Sequence, residues 1–565
     1  MSGTRVAAGA FTERIASRVK ALRAAYWPRL LLARDARLWG DAPSRVEAVG
    51  QRLGWVHAPR AMRTRTREFL DLAANVSAVG FTRVLLLGMG GSSLAPEVLS
   101  QVFPAKRRGL PLHVLDDTSP AAVRAALAAG DPARTLVVVS SKSGGTVEVT
   151  SFERACFAHA TAVLGGNAGQ SFVAITDPGT ALEAHARERG YRQTFTNPAD
   201  IGGRYSAISC FGLVPATLLG LDAEALCREA RAELTDFEQA GTALEIGAAL
   251  GEMALAGRNK LTLVLPPELA PLGGWIEQLV AESTGKDGRG ILPVDGERLA
   301  EPSAYANDRV FVSVCLGATP VAMAGTLDRL TAAGHPVIRW LRRSADEIGA
   351  EFVRSELVTA VASAVLGVNP FDEPNVAEAK AATKDVLARA AANGELPRSD
   401  PRARSGALTL YAPAHVAVAG AGARDWAAAF LALLRPGDYA AVLAWVTRTD
   451  SRHALLARLR HAIRHASRAA TTLGYGPRYL HSTGQLHKGG PATGVFLQVT
   501  TESGDEPIPG ESYGFRVLNE AQAAGDLRVL SDHGLRVMRV HVSGEPDAGL
   551  LELASAFEQA ASVRS

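Results

Sequence analysis

The chain has 565 residues, 47% apolar and 21% charged, with a formal net charge of +3. That length exceeds one ordinary core and implies two or three domains, while so small a net charge gives no argument for a nucleic-acid partner. No run of about 18 apolar residues marks a membrane span and no apolar leader follows the N-terminus, and Cys156, Cys210, Cys227 and Cys315 lack metal-ligand spacing; a cytoplasmic protein without a metal centre is predicted.

Residues 1–80 mix apolar and charged positions at helical spacing and predict two or three helices packed on the domain that follows. From residue 81 to 240 the pattern is strand, turn, helix, repeated. Arg83–Leu87 is a strand ending in Gly88-Met-Gly-Gly-Ser-Ser93, and Leu112–Leu115 ends in Asp116-Asp-Thr-Ser119. Leu136-Val-Val-Val139 is a central strand ending in Ser140-Ser-Lys-Ser-Gly-Gly-Thr146, with a helix opening at Val147. Such alternation predicts an α/β fold with parallel sheets covered on both faces, and ligands beyond the carboxyl ends of the strands.

Residues 241–392 form a second α/β domain: strand Leu261–Leu265, helix Trp275–Ala281, polar loop Glu282–Gly290, strands Val310–Cys315 and Val337–Leu341, and helices Ile348–Leu366 and Val376–Ala392. Residues 393–413, with Asn-Gly and three prolines, read as a linker. Residues 414–565 repeat the order of the second unit: strand Tyr439–Trp445, helix His453–Arg468, polar loop Thr471–Pro491, strand Gly494–Thr500, helix Leu518–His533 and strand Arg536–Val542. This C-terminal α/β unit is a partial repeat.

Six stretches carry candidate chemistry. Ser141, Lys142, Ser143 and Thr146 surround a helix N-terminus, where free amides, hydroxyls and the dipole favour an anion such as phosphate. Gly88-x-Gly90-Gly91 lacks the full dinucleotide spacing, so close backbone approach to a sugar phosphate is the preferred reading over a nicotinamide cofactor. Arg204, after Gly202-Gly203, offers a permanently charged fork to an oxyanion. Glu282, where an apolar helix meets a polar loop, is a candidate base. Lys380 follows Glu373 by two helical turns, and His481 and His487 lie among glycines in a C-terminal loop.

Together these motifs, with Glu282-Ser-Thr-Gly-Lys-Asp287, Asn369-Pro-Phe-Asp-Glu-Pro-Asn-Val-Ala-Glu-Ala-Lys380 and His481-Ser-Thr-Gly-Gln-Leu-His487, resemble the phosphoglucose isomerase family, from about residue 45 to 545. The likeness is greatest to the isomerase half of two-part transaldolase–phosphoglucose isomerase proteins; no eightfold barrel pattern precedes the first sheet. The resemblance implies two three-layer α/β/α sugar-isomerase domains of flavodoxin-like type, and interconversion of glucose 6-phosphate and fructose 6-phosphate without a cofactor. It implies phosphate binding by Ser141, Lys142, Ser143 and Thr146, a sugar side lined by Gly90, Gly91 and Ser92, and further substrate contacts from Glu373 and Gln485. Catalysis would fall to Glu282 as base, Arg204 as stabiliser of a cis-enediol, and His481 or His487 with Lys380 for ring opening. The partner is a small sugar phosphate, with no nucleic acid and no membrane.

Three departures stand out. Glu373 replaces the family's usual Gln, Leu486 separates Gln485 from His487, and both histidines follow Lys380 instead of closely following the glutamate loop. The first copy has no histidine between Glu282 and Val310, and the second no acid between Ser451 and Thr501. Copy one is therefore expected to keep the glutamate and copy two the histidine, making a monomer sufficient; otherwise a homodimer is required. A dual glucose and mannose phosphate isomerase, and a non-catalytic sugar-phosphate-sensing regulator, are the competing readings.

Overall fold

Among the described residues, runs of valine, leucine and alanine form sixteen strands in three sheets, and their period-two alternation supplies a core to each face. The computed structural model describes residues 4–104, 109–393, 396 and 400–563. Strand β1 (Arg5–Ala7) precedes a helical stretch. Then β2 (Arg83–Gly88), β3 (Leu112–Leu115), β4 (Thr135–Ser140), β5 (Phe172–Thr176) and β6 (Gln193–Thr196) form a parallel sheet in the order β3-β2-β4-β5-β6. Val84, Leu86, Leu136 and Val138 feed one core of this sheet, and Leu85, Leu87, Val137 and Val139 the other.

The second sheet holds β7 (Lys260–Val264), β8 (Leu292–Val294), β9 (Arg309–Leu316) and β10 (Val337–Arg342), in the order β1-β10-β9-β7-β8. The third holds β11 (Ala403–Ser405), β12 (Leu408–Tyr411), β13 (Tyr439–Trp445), β14 (Ala470–Tyr475), β15 (Gly494–Thr501) and β16 (Arg536–Val542), in the order β11-β12-β16-β15-β13-β14. The four parallel strands β10-β9-β7-β8 thus match β16-β15-β13-β14, and each set carries an antiparallel strand on the same flank, β1 or β12. The two copies dock through β8 and β14: Leu292 and Val294 share a core with Tyr439, Leu443, Trp445 and Ala470. Arg309 reinforces the junction, donating to Glu297 and to the Ala469 carbonyl at 3.2 Å.

Three expectations change. The first 80 residues are not wholly helical, because β1 closes the second sheet; three residues are too few to produce a periodic signal. The segment 393–413 is more than a linker, since β11 and β12 extend the third sheet; residues 394–395 and 397–399 of it lie outside the described residues. The predicted polar loop Thr471–Pro491 begins as β14, where the threonines read as polar while their branched Cβ suits a buried strand.

The C-terminal unit is also fastened to the first. Its loop after β15 buries Ile508 in the core behind β2 and β4, Arg124 pairs with Glu506 at 3.0 Å, and Phe515 stacks on Phe152 at 5.8 Å. This places the β14–β15 connection over the carboxyl ends of the first sheet.

Candidate active site

The cleft opens beyond β2 and β4, where their polar turns meet. Ser140 Oγ donates to the Ser92 carbonyl at 2.8 Å, joining the two turns. In the turn after β4, Ser141 is buried with its Oγ 3.3 Å from Thr146 Oγ1, and the Gly145 amide donates to Ser143 Oγ at 3.4 Å. The helix Val147–Leu164 starts here without a side-chain cap, leaving its first amides for an anion. Lys142 forms an ion pair with Asp177 and donates to the Ala199 carbonyl at 3.1 Å.

The turn after β2 must be glycine because other loops press against it. Gly90 has φ +53°, and a Cβ there would stand 2.6 Å from Gln278 Nε2 and 2.9 Å from the His481 carbonyl. A Cβ on Gly91 would stand 2.0 Å from the Gly203 carbonyl. Ser92 is buried beside them. The Gly90–Ser92 turn, the arginine turn, the glutamate helix and the histidine loop therefore meet at one point.

Glu282 sits near the end of the helix Leu272–Thr284, almost wholly buried. Its Oε1 lies 3.3 Å from Arg204 Nη1, and its Oε2 accepts from Gln278 Nε2 at 3.1 Å. The same Gln278 Nε2 donates to the His481 carbonyl at 2.8 Å, so one amide ties the glutamate of copy one to the histidine of copy two within a single chain. Burial pushes the proton affinity of Glu282 up, Arg204 opposes this and Glu373 adds to it; the carboxyl titrates above the usual carboxylate range.

Arg204 donates from Nε to Ser283 Oγ at 3.0 Å, and from Nη2 to the carbonyls of Pro370 at 2.7 Å and Asp372 at 2.9 Å. Its Nη1 donates to Glu373 Oε2 at 3.0 Å. Lys286 braces the Asn369–Asp372 turn beneath it, donating to Asp372 Oδ1 at 2.8 Å and to the Asn369 and Asp372 carbonyls. Burial and the neighbouring Arg204 bring the Lys286 ammonium down to about 8.

His481 faces the cleft from the C-terminal unit. Its Nε2 lies 2.9 Å from Glu148 Oε1, on the first turn of the helix behind the anion site, and that oxygen also accepts from Gln522 Nε2 at 2.7 Å. Burial pushes Glu148 up, but the charge and hydrogen bond of His481 outweigh it and hold the carboxyl below its ordinary range. Lys380, exposed on the helix Pro374–Asn393, adds its charge to the same effect.

Two expected residues lie elsewhere. His487 is buried among Tyr439, Tyr479 and Phe496, neither ring nitrogen has a partner among the described residues, and burial drives it down to about 3. It is a neutral core residue held away from the cleft, because it lies on the inner face of the short helix Gly484–Gly489. Gln485 is fully buried with its amide committed: Nε2 donates to the Gly285 carbonyl at 3.0 Å and Asn375 Oδ1 at 2.8 Å, while Oε1 accepts from the Asn375 amide at 2.9 Å. It knits the glutamate, lysine and histidine loops together and offers a ligand nothing. Sequence reading missed Gln278, Glu148, Ser283 and Lys286 as site residues. The signal for Gln278 was its place one helical turn before Glu282; Glu148 read as an ordinary first-turn helix acid.

The family profile described as "Phosphoglucose isomerase" matches residues 62–287. The chain is 32% identical over 389 residues to a glucose-6-phosphate isomerase of Rubrobacter xylanophilus, covering 60% of this chain and 89% of that one. A glucose-6-phosphate isomerase of Parasynechococcus marenigrum is 29% identical, with 54% of this chain and 63% of the relative covered. The fold is shared with a hypothetical protein of Thermus thermophilus, at TM-score 0.59 and 24% identity over 68% of this chain and 100% of that one. It is shared too with a glucose-6-phosphate isomerase of Chlamydia trachomatis, at TM-score 0.51 and 20% identity over 63% and 78% of the two chains.

Proposed function

The chain belongs to the phosphoglucose isomerase family, and from that premise we infer that it is a glucose-6-phosphate isomerase, interconverting D-glucose 6-phosphate and D-fructose 6-phosphate. The observation that carries this reading is the convergence of Glu282, Arg204 and His481 on one cleft whose wall is an uncapped helix N-terminus ringed by Ser141, Ser143 and Thr146.

The phosphate takes the free amides and hydroxyls of that turn, and Lys142 exchanges Asp177 for it. Gly90, Gly91 and Ser92 line the sugar side. His481, oriented by Glu148 at Nε2, uses Nδ1 to accept the C1 hydroxyl proton and deliver one to the ring oxygen, opening the ring. Lys380 supports this step by its charge near Glu148. Glu282 then takes the C2 proton, the C–H electrons form the C1–C2 double bond of the enediolate, and the aldehyde oxygen gains the charge. Arg204 stabilises that charge. A proton passes from the C2 hydroxyl to the C1 oxygen, the C2 oxygen becomes the ketone as the double bond's electrons take up the proton that Glu282 returns to C1, and the internal redox exchange is complete with nothing added or lost. Its raised proton affinity suits a group that must hold the proton between these two events.

Incubating the purified chain with glucose 6-phosphate and, separately, mannose 6-phosphate tests the reading. Fructose 6-phosphate is expected from the former; none from either would refute it. Turnover of both would assign the dual specificity.

The matching strand orders of copies one and two support a further part of the proposal: the C-terminal unit stands in for a partner subunit, and one chain suffices. Specific activity constant on dilution through the nanomolar range, with a monomer mass in sedimentation, is the expected result. Loss of activity on dilution would mean that a second chain is needed. Four buried free cysteines fit a reducing, cytoplasmic setting, and no described helix is long and apolar enough to cross a membrane.

A further inference from the structure

Arg204 already carries a carboxylate at the nitrogen where an anionic intermediate would bind. A guanidinium has five N–H groups. Here Nε meets Ser283 Oγ at 3.0 Å and the Pro370 carbonyl at 3.2 Å, and Nη2 meets the carbonyls of Pro370 and Asp372 at 2.7 and 2.9 Å. Nη1 donates to Glu373 Oε2 at 3.0 Å and lies in ion-pair contact with Glu282 Oε1 at 3.3 Å. Nη1 is the nitrogen without a backbone partner, and Glu373 already holds a donor there that an enediolate oxygen would use.

The partners differ in how easily they let go. The carbonyls belong to a turn pinned by Lys286, by Asn369 Nδ2 donating to Asp372 Oδ2 at 2.9 Å, and by the Phe371 amide donating to Asn369 Oδ1 at 3.0 Å. Glu282 is buried, gripped also by Gln278, and must stay beside the reacting carbons. The Glu373 side chain is 44% exposed, and Arg204 is the only hydrogen-bond partner of its carboxylate among the described residues. Its carboxylate can turn into water, where it is fully solvated. Leaving also removes one of two negative charges from the cation that must meet the anionic intermediate.

We propose that Glu373 is a displaceable carboxylate, occupying in the free enzyme the Nη1–H of Arg204 that the substrate's oxyanion takes when it binds. Glu373 is thus a positioning residue that acts through Arg204 and keeps the guanidinium aimed and neutralised until a sugar phosphate arrives. The reading rests on the isomerase assignment of the site. It makes the cleft a competition between an internal carboxylate and the ligand's own negative oxygen, which amide or alanine at this position would relieve.

The test uses 6-phosphogluconate, an open-chain acid whose carboxylate mimics the enediolate oxygens, with inorganic phosphate as control. Dissociation constants are measured by calorimetry for the wild type, Glu373→Gln and Glu373→Ala, alongside kcat and KM for glucose 6-phosphate. Affinity for 6-phosphogluconate should rise roughly tenfold in the alanine variant and less in the glutamine variant. Phosphate affinity should stay level and KM should fall by more than kcat changes. Unchanged or weakened affinity in both variants would overturn the proposal and leave Glu373 as a structural anchor of Arg204. A wild type that fails to isomerise while the variants gain affinity would remove the isomerase reading and keep the displacement. An active wild type without that gain would do the reverse, and a wild type that binds no 6-phosphogluconate would remove both.

Discussion

Glu148→Gln isolates what a carboxylate does behind His481. Glu148 is 3% exposed, and one oxygen accepts from both His481 Nε2 and Gln522 Nε2. Glutamine has the same shape and can keep both contacts through its Oε1, so the packing stays and only the charge is lost. A hydrogen bond to a charged group contributes about 1 to 1.5 kcal/mol more than one between neutral groups, which predicts a roughly tenfold fall in kcat/KM for glucose 6-phosphate. Glu148→Ala strips the acceptor and leaves a buried ring nitrogen unpaired, at a cost of about 2 to 3 kcal/mol or roughly 30- to 150-fold. The assay is coupled detection of fructose 6-phosphate, with calorimetric binding of 6-phosphogluconate as the control for a collapsed site. Binding should change by less than about twofold in the glutamine variant, since an open-chain ligand needs no ring opening. Equal kcat/KM in wild type and Glu148→Gln would refute the argument, as would a loss confined to ligand binding.

Two more predictions follow from groups outside the proton path. His487→Phe fills the same aromatic box and removes two buried nitrogens without partners among the described residues, so melting temperature should hold or rise and activity persist, whereas His481→Gln should lose most activity; equal losses would contradict the division of labour between the histidines. Glu277, on the glutamate helix, is pushed up to about 8 by burial and by Asp295. Its folded form therefore keeps a proton that the unfolded chain releases near pH ~4.3, so its ionisation erodes stability as pH rises through that window. Glu277→Gln cannot ionise, and its melting temperature should match the wild type near pH 5 and exceed it increasingly towards pH 8.5. A difference that does not vary with pH would show the reasoning to be wrong.

The strand-and-helix alternation was legible because parallel strands buried on both faces leave continuous apolar runs, as in Leu136–Val139 and Tyr439–Trp445. What escaped was short or polar: β1 and β11 have three residues each, and β14 opens on threonines. The internal repeat could be suspected from element order, but the common strand order and the antiparallel strand on the same flank emerged only from pairing. Within the cleft, motif-bearing residues such as Arg204 and Glu282 stood out by charge and neighbouring glycine. Gln278 and Glu148 carried no such mark, since their roles come from a histidine some 200 to 330 positions away along the chain. His487 and Gln485 misled for the converse reason: chemically apt side chains on a helix turned inward.

Catalysis by Glu282 within one chain is the centre of the account, and Glu282→Gln probes it most directly. With glucose 6-phosphate deuterated at C2, both fructose 6-phosphate formation and loss of deuterium to water should fall by ~10²–10⁴ in this variant, while 6-phosphogluconate still binds. Isomerisation and deuterium loss at the wild-type rate would contradict the account.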